Sequence, residues 1–184
     1  MAERIIARWQ DWSAAGLEHL VLEEGPAGIE TDSAILATIE AEAIALRYRV
    51  QCDSMWRVRR ARIARIGEDK PVEIASDGSG NWVDEAGIAL PHLRGAIDID
   101  ISATPFTNTL PIRRLGLKEG QTAEILAVYI PVPSLEIITD RQRYTRLDAK
   151  HYRYESIDSD FTRDIEVDGD GLVIVYPGLF RRVI

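Results

Sequence analysis

The chain has 184 residues, 46% of them hydrophobic and 28% charged, the balance of a soluble globular domain with a core large enough to need no disulfide. Lys and Arg number 22 against 30 Asp and Glu, a formal net charge of −8. So acidic a chain lacks the basic footprint of a general nucleic-acid binder, or of a protein held on anionic membranes by overall charge.

Charges at Glu3, Arg4 and Arg8 break any signal-peptide core, so a cytoplasmic location is expected. Ile5, Ile6, Trp9 and Trp12 are compatible with one helical face, in a segment that does not separate helix from strand. Strands are then predicted at Leu17–Glu23, Ala34–Ile39, Ile44–Cys52, Trp56–Ile66, Val72–Ser76 and Asn81–Asp84. Further strands follow at Ala96–Ser102, Ala123–Ile130, Leu135–Thr139, Gln142–Leu147, Tyr152–Ile157, Phe161–Val167 and Leu172–Tyr176. Ile88–Leu93 and Pro111–Leu115 suggest single helical turns. The longest apolar run, 125–132, is far short of the roughly 20 residues of a membrane span. Short runs between turn signals predict an all-β, mainly antiparallel fold with short helices, a sandwich, barrel or rolled sheet, rather than βαβ units.

Two hairpins look alike. Asp77-Gly78-Ser79-Gly80 and Asp168-Gly169-Asp170-Gly171 each lie between apolar runs, with Tyr48-Arg49-Val50 upstream of the first and Tyr144-Thr145-Arg146 of the second. One domain over 1–184 with an internal repeat, roughly 33–93 and 123–184, accounts for this, and so does chance likeness of two Asp-Gly turns.

The densest polar segment runs from Asp98 to Arg114. Strict alternation over Ile97–Ser102 puts the isoleucines on one side and Asp98, Asp100 and Ser102 on the other. Alternate residues sit about 6.5–7 Å apart, a spacing that suits an acid/base pair, two oxygen ligands, or the wet face of a half-buried strand. Thr104, Thr107, Asn108 and Thr109 around Phe106 form a polar loop between Pro105 and Pro111. Its hydroxyls, amide and aromatic face suit a sugar or acyl chain, with Arg113 and Arg114 as clamps for an anion. The same residues also suit a self-bonded loop whose arginines neutralise Asp98 and Asp100.

Arg57, Arg59, Arg60, Arg62 and Arg65 crowd one run with no acid among them, either an anion-binding edge or an edge strand kept soluble by charge. Trp56, Trp82, Tyr144, Tyr152, Tyr154 and Tyr176 are ordinarily core or cross-strand residues, and line a cavity if the sheet rolls around one. The G-x-S-x-G, phosphate-loop, G-x-G-x-x-G and H-E-x-x-H motifs are all missing, and His19, His92 and His151 are scattered. Cys52, the one cysteine, is expected as a small buried hydrophobe. No catalytic residue, cofactor or metal is assigned.

Thr104-Pro105-Phe106-Thr107-Asn108-Thr109-Leu110-Pro111-Ile112-Arg113-Arg114-Leu115 resembles the putative glycolipid-binding family of bacterial proteins. The likeness extends to Glu18-His19-Leu20, Tyr48-Arg49-Val50 with Asp53, Trp56-Arg57, Gly80-Asn81-Trp82, Gln142-Arg143-Tyr144 and Gly171-Leu172-Val173. The resemblance implies a spiral β-roll, a half-rolled antiparallel sheet with internal duplication, shaped like bacterial lipoprotein carriers.

The expected function is a non-enzymatic binding module for an amphiphile, a glycolipid, with its acyl part against the rolled sheet. The candidate ligand-binding set is Trp56, Arg57, Trp82, Asp98, Asp100, Thr104, Phe106, Thr107, Asn108, Thr109, Arg113, Arg114, Tyr144 and Tyr176. The alternatives are an enzyme acting on a sugar or phosphate ester through Asp98 or Asp100, and an interaction module docking an acidic partner on its arginine-rich strand.

Overall fold

The computed structural model describes residues 3–184. Seven strands open the chain: β1 (Glu3–Asp11), β2 (Leu17–Gly25), β3 (Gly28–Ile39), β4 (Glu42–Cys52), β5 (Val58–Arg65), β6 (Val72–Ser76) and β7 (Trp82–Asp84). A 3-10 turn at Pro91–Leu93, strand β8 (Asp98–Ile101) and helix α1 (Phe106–Leu115) follow. Six more strands complete the chain: β9 (Thr122–Ile130), β10 (Ile138–Arg146), β11 (His151–Ser156), β12 (Thr162–Val167), β13 (Val173–Tyr176) and β14 (Phe180–Arg182).

All fourteen strands form one open sheet, in the order β7-β6-β5-β4-β3-β2-β1-β14-β13-β12-β11-β10-β9-β8. It consists of two antiparallel meanders joined where β14 pairs with β1, Trp9 opposite Arg182 and Asp11 opposite Phe180. Only β8 breaks the pattern. It lies parallel to β9, which the chain reaches from β8 through α1, so one βαβ crossover stands where none was expected. The segment predicted as two strands around Leu135–Leu147 is the single strand β10.

Period-two patterning sets which face is buried. On β4, Ile44, Leu46, Tyr48, Val50 and Cys52 point inward, and the alternate residues Arg47, Arg49 and Gln51 are exposed. The N-terminal segment follows the same rule and is a strand with no helical face: Ala7 and Trp9 are buried, whereas Ile6 and Trp12 are about half exposed. Cys52 is buried as expected, and burial pushes its thiol well above the ordinary range.

The sheet curls around α1. Phe106 and Leu110, one turn apart, pack into a core formed by β1 to β9, while Ile112 packs into a second core with Tyr144, Tyr152, Tyr154 and Tyr176. Full burial of Phe106 and Leu110 stabilises the fold by about 1.5–3 kcal/mol each. The concave side is therefore filled by protein where Thr104–Thr109 was expected to be a loop. Tertiary packing overrides the weak helix propensity of a Thr-, Asn- and Pro-rich segment. Thr104 Oγ1 accepts the Phe106 N–H at 3.0 Å, and Gly116, left-handed at φ 55°, ends the helix.

The free edge at β7 is capped. Trp82 Nε1 donates to the Ala96 carbonyl at 2.8 Å, and Gly95 N–H to the Gly80 carbonyl at 2.9 Å. A Cβ on Gly80 would lie 2.8 Å from Gly95 Cα, and its φ of +91° also demands glycine.

The turn at Gly80 has relatives. At Asp53, Asp77, Asp84 and Asp168 the Oδ1 accepts backbone N–H groups two and four residues on. The residue three on is left-handed: Trp56, Gly80, Gly87 and Gly171. The two Asp-Gly hairpins thus share a local turn chemistry that also occurs elsewhere in the chain.

Candidate functional site

The carboxylate face of β8 is not wet. It is covered by α1, whose Thr107 and Arg114 lie two turns apart on one side of the helix. Asp98, 1% exposed, is gripped by Arg114, with Nε 2.9 Å from Oδ1. Asp100 accepts from Thr107 Oγ1 at 3.2 Å and from Gln142 Nε2 at 2.7 Å.

Beside Asp100 a pocket of about 560 Å³ opens between α1 and the second meander. Thr104, just before α1, and Asn108 in its first turn line it from that side. Tyr129 of β9 lies opposite Asp100 on one side and Ile138 on the other, and carries the lining from β8 to β10. Asp140 and Ser156 continue it on β10 and β11, and Asp158, Ser159 and Phe161 close it from the turn that follows. Tyr154, Phe161, Tyr176 and Phe180 form an aromatic wall, with neighbouring centroids 5.9–6.4 Å apart, mostly edge to face.

The polar groups form one network. Gln142 Nε2 donates to both Asp100 Oδ2 and Asp140 Oδ2, at 2.7 and 3.1 Å, and Ser156 Oγ donates to Asp140 Oδ1 at 3.2 Å. Burial pushes the Asp100 carboxyl up to about 6, against the opposing hydrogen bonds from Gln142 and Thr107, with Asp140 adding a smaller push upward. Desolvation, and then the Asp100 charge, raise the hydroxyls of Tyr129, Tyr154 and Tyr176. They enter the pocket as neutral donors.

Thr104 also touches a second buried group. Its Oγ1 lies 3.3 Å from the Tyr48 hydroxyl, which donates to Glu18 Oε1 at 2.5 Å beside a second donor, Ser33 Oγ, at 2.8 Å. Glu18 Oε2 has no partner, and burial pushes this carboxyl up to about 7. Thr109 Oγ1 is likewise buried without a partner.

Of the expected ligand-binding residues, the fold brings Asp100, Thr104, Asn108 and Tyr176 together on the pocket. Thr107 and Tyr144 stand directly behind, Tyr144 accepting Asn108 Nδ2 at 2.9 Å. Phe106 is stacked on Tyr48 in the core, and Thr109 is fully buried. Trp56 lies under the Arg113 guanidinium at 4.6 Å, Arg57 pairs with Asp53, and Trp82 caps the β7 edge. Arg113 binds Glu24 and Arg114 binds Asp98, so neither arginine lines the pocket. The arginine-rich strand is matched in the same way: Arg59 meets Asp53, Arg60 and Arg62 meet Glu73, and Arg65 meets Glu42 and Glu68. Tyr129, Asp140, Ser156 and Phe161 were not singled out from sequence, and Gln142 entered only through the family resemblance. Their only signal there is that 140, 142 and 144 share a strand face, as do 154 and 156.

An open antiparallel sheet rolled on a helix, with an aromatic-walled acidic pocket at the helix N-terminal end, defines the class: an all-β half-rolled protein with a lateral pocket. Within that class, the chain belongs to the family described as "Putative glycolipid-binding", whose model matches residues 6–182. It is similar to a DUF1089 family protein from Pseudomonas aeruginosa of known crystal structure, with 43% identity and a TM-score of 0.81 over 90% of this chain and 92% of that one. No curated protein matches it. No helix among the described residues is long and apolar enough to cross a membrane.

Proposed function

We propose that this chain binds a glycolipid, with the sugar head in the pocket beside Asp100 and the acyl chain leaving over Ile138 and Leu179 at its rim. One observation carries the reading. A single pocket joins a wall of aromatic rings to carboxylates, an amide and hydroxyls, the pairing that receives the apolar face and the hydroxyl edge of a sugar. Its volume of about 560 Å³ lies within the roughly 300–1,000 Å³ usual for small-molecule sites. Ile138, 44% exposed, offers apolar surface where a chain would emerge. The first core is closed to an acyl chain because α1 fills it, which moves the expected lipid contact from the inner sheet face to this rim.

A second reading has its own support. Asp100 and Asp140 share the Gln142 donor, so their facing oxygens are at most about 6 Å apart, the scale of a two-carboxylate glycosidase. Both Asp100 oxygens are already engaged by protein donors, which favours binding over catalysis.

Native mass spectrometry of the protein with dodecyl maltoside tests the proposal. A single adduct is expected, lost in Ser159→Trp, which plugs the pocket from an exposed turn position. An adduct unchanged by that substitution, or no adduct with any glycolipid or alkyl glycoside, contradicts it. Turnover of a chromogenic glycoside that disappears in Asp100→Asn would replace binding with hydrolysis.

A further inference from the structure

The charges around the pocket are one-sided. Several acids elsewhere in the fold meet arginines: Asp53, Glu73, Asp98 and Glu24 each hold at least one guanidinium. Among the described residues, Asp100, Asp140 and Asp158 join no ion pair, and no Lys, Arg or His lines the pocket. Their carboxylates accept only from neutral donors: Gln142, Thr107, Ser156 and the Arg141 backbone N–H. Arg163 stands behind Phe161, 4.6 Å from its ring, and is turned to the Pro177 and Thr162 carbonyls.

An uncompensated carboxylate in a desolvated, aromatic-walled pocket attracts a cation and repels an anion. The geometry also suits one nitrogen. Gln142 Nε2 already reaches Asp100 and Asp140 together, and each carboxylate oxygen has more than one acceptor direction, so a second nitrogen can bridge the pair. The ring faces of Tyr154 and Tyr176 carry the negative side of their quadrupoles. The raised Asp100 carboxyl agrees with a buried charge that lacks its counter-ion.

Resting on the headgroup reading above, we infer that the sugar carries a protonated amine, held between Asp100 and Asp140 and against the rings of Tyr154 and Tyr176. Phosphate-, sulfate- or carboxylate-bearing heads are excluded by the same charges, so the class is an amino-sugar amphiphile.

Calorimetric titration of the intact protein with decyl glucoside, decyl glucosaminide and decyl glucuronide, each below its micellar concentration, tests this at neutral pH. The glucosaminide is expected to bind about tenfold or more tightly than the glucoside, the gain of one charge-assisted contact, with the glucuronide weakest. In Asp140→Asn the gap between glucosaminide and glucoside should narrow several-fold. Equal binding of glucosaminide and glucoside by the wild-type protein overturns the amine and leaves the sugar site standing, as does tighter binding of the glucuronide. If none of the three binds, the headgroup reading fails and the amine with it.

Discussion

Replacing Arg114 with alanine is expected to cost about 3–5 kcal/mol of folding stability, because it strands a buried carboxylate. Asp98 is 1% exposed and Arg114 supplies the side-chain donors to both of its oxygens. Burial already holds the Asp98 carboxyl above its ordinary range in spite of the guanidinium, so the site has no reserve once that charge is gone. Asp98→Ala should cost less, since Arg114 is 15% exposed and its head can turn to water. The double variant should recover much of the loss, with a coupling of about 2 kcal/mol or more in a urea-unfolding cycle. The Arg114→Ala deficit should also shrink on acidification, as Asp98 takes up a proton and no longer needs a counter-ion. Additive single costs, or a deficit independent of pH, would mean that the pair contributes little.

The second large effect is a pH dependence of opposite sign to ordinary acid denaturation. Glu18 titrates near 4.5 in the unfolded chain and at about 7 in the fold, because desolvation outweighs the Tyr48, Thr104 and Ser33 hydrogen bonds. Between those values the folded protein keeps a proton that the unfolded chain releases, so stability falls as pH rises and levels off above about 7. The full swing is about 3 kcal/mol, of which about 1 kcal/mol falls above pH 6. Asp100, raised to about 6, adds a slope of the same sign at lower pH. In Glu18→Gln most of the slope above pH 6 should disappear, leaving the smaller part that Asp100 contributes. The absolute gain will be smaller than the swing, because the new amide stands where Oε2 has no partner, at a cost of about 1–3 kcal/mol. Chemical denaturation at a series of pH values measures both. An unchanged slope would mean that Glu18 stays ionised in the fold.

Most of the sheet was legible because it obeys one rule. Leu46, Tyr48, Val50 and Cys52 alternate with polar residues, and the observed β4 begins only two residues before the expected strand. The failures lie where local pattern and tertiary environment part. Adjacent Ile5 and Ile6 mimic a helical face, although only the row of Ala7 and Trp9 is buried. The Thr104–Thr109 segment has the composition of a loop, and turns helical from Phe106 because Asp100 of β8 takes the Thr107 hydroxyl and Tyr144 of β10 the Asn108 amide while Phe106 and Leu110 fill the roll. The site was half visible for a related reason. Asp100, Thr104 and Asn108 belong to one continuous segment, whereas Asp140, Ser156 and Tyr129 reach it through strand register across long stretches of chain. Arg113 and Arg114, adjacent and basic, suggested an anion clamp. Packing instead assigns them to Glu24 and Asp98, which leaves the pocket acidic.

A crystal structure of the protein with dodecyl maltoside tests the central claim most directly. The binding account predicts a sugar ring against Tyr154 and Tyr176 with a hydroxyl in hydrogen-bond contact with Asp140, and the alkyl chain passing Ile138. Detergent absent from this pocket, or seated with its chain inside and its sugar in solvent, would contradict it.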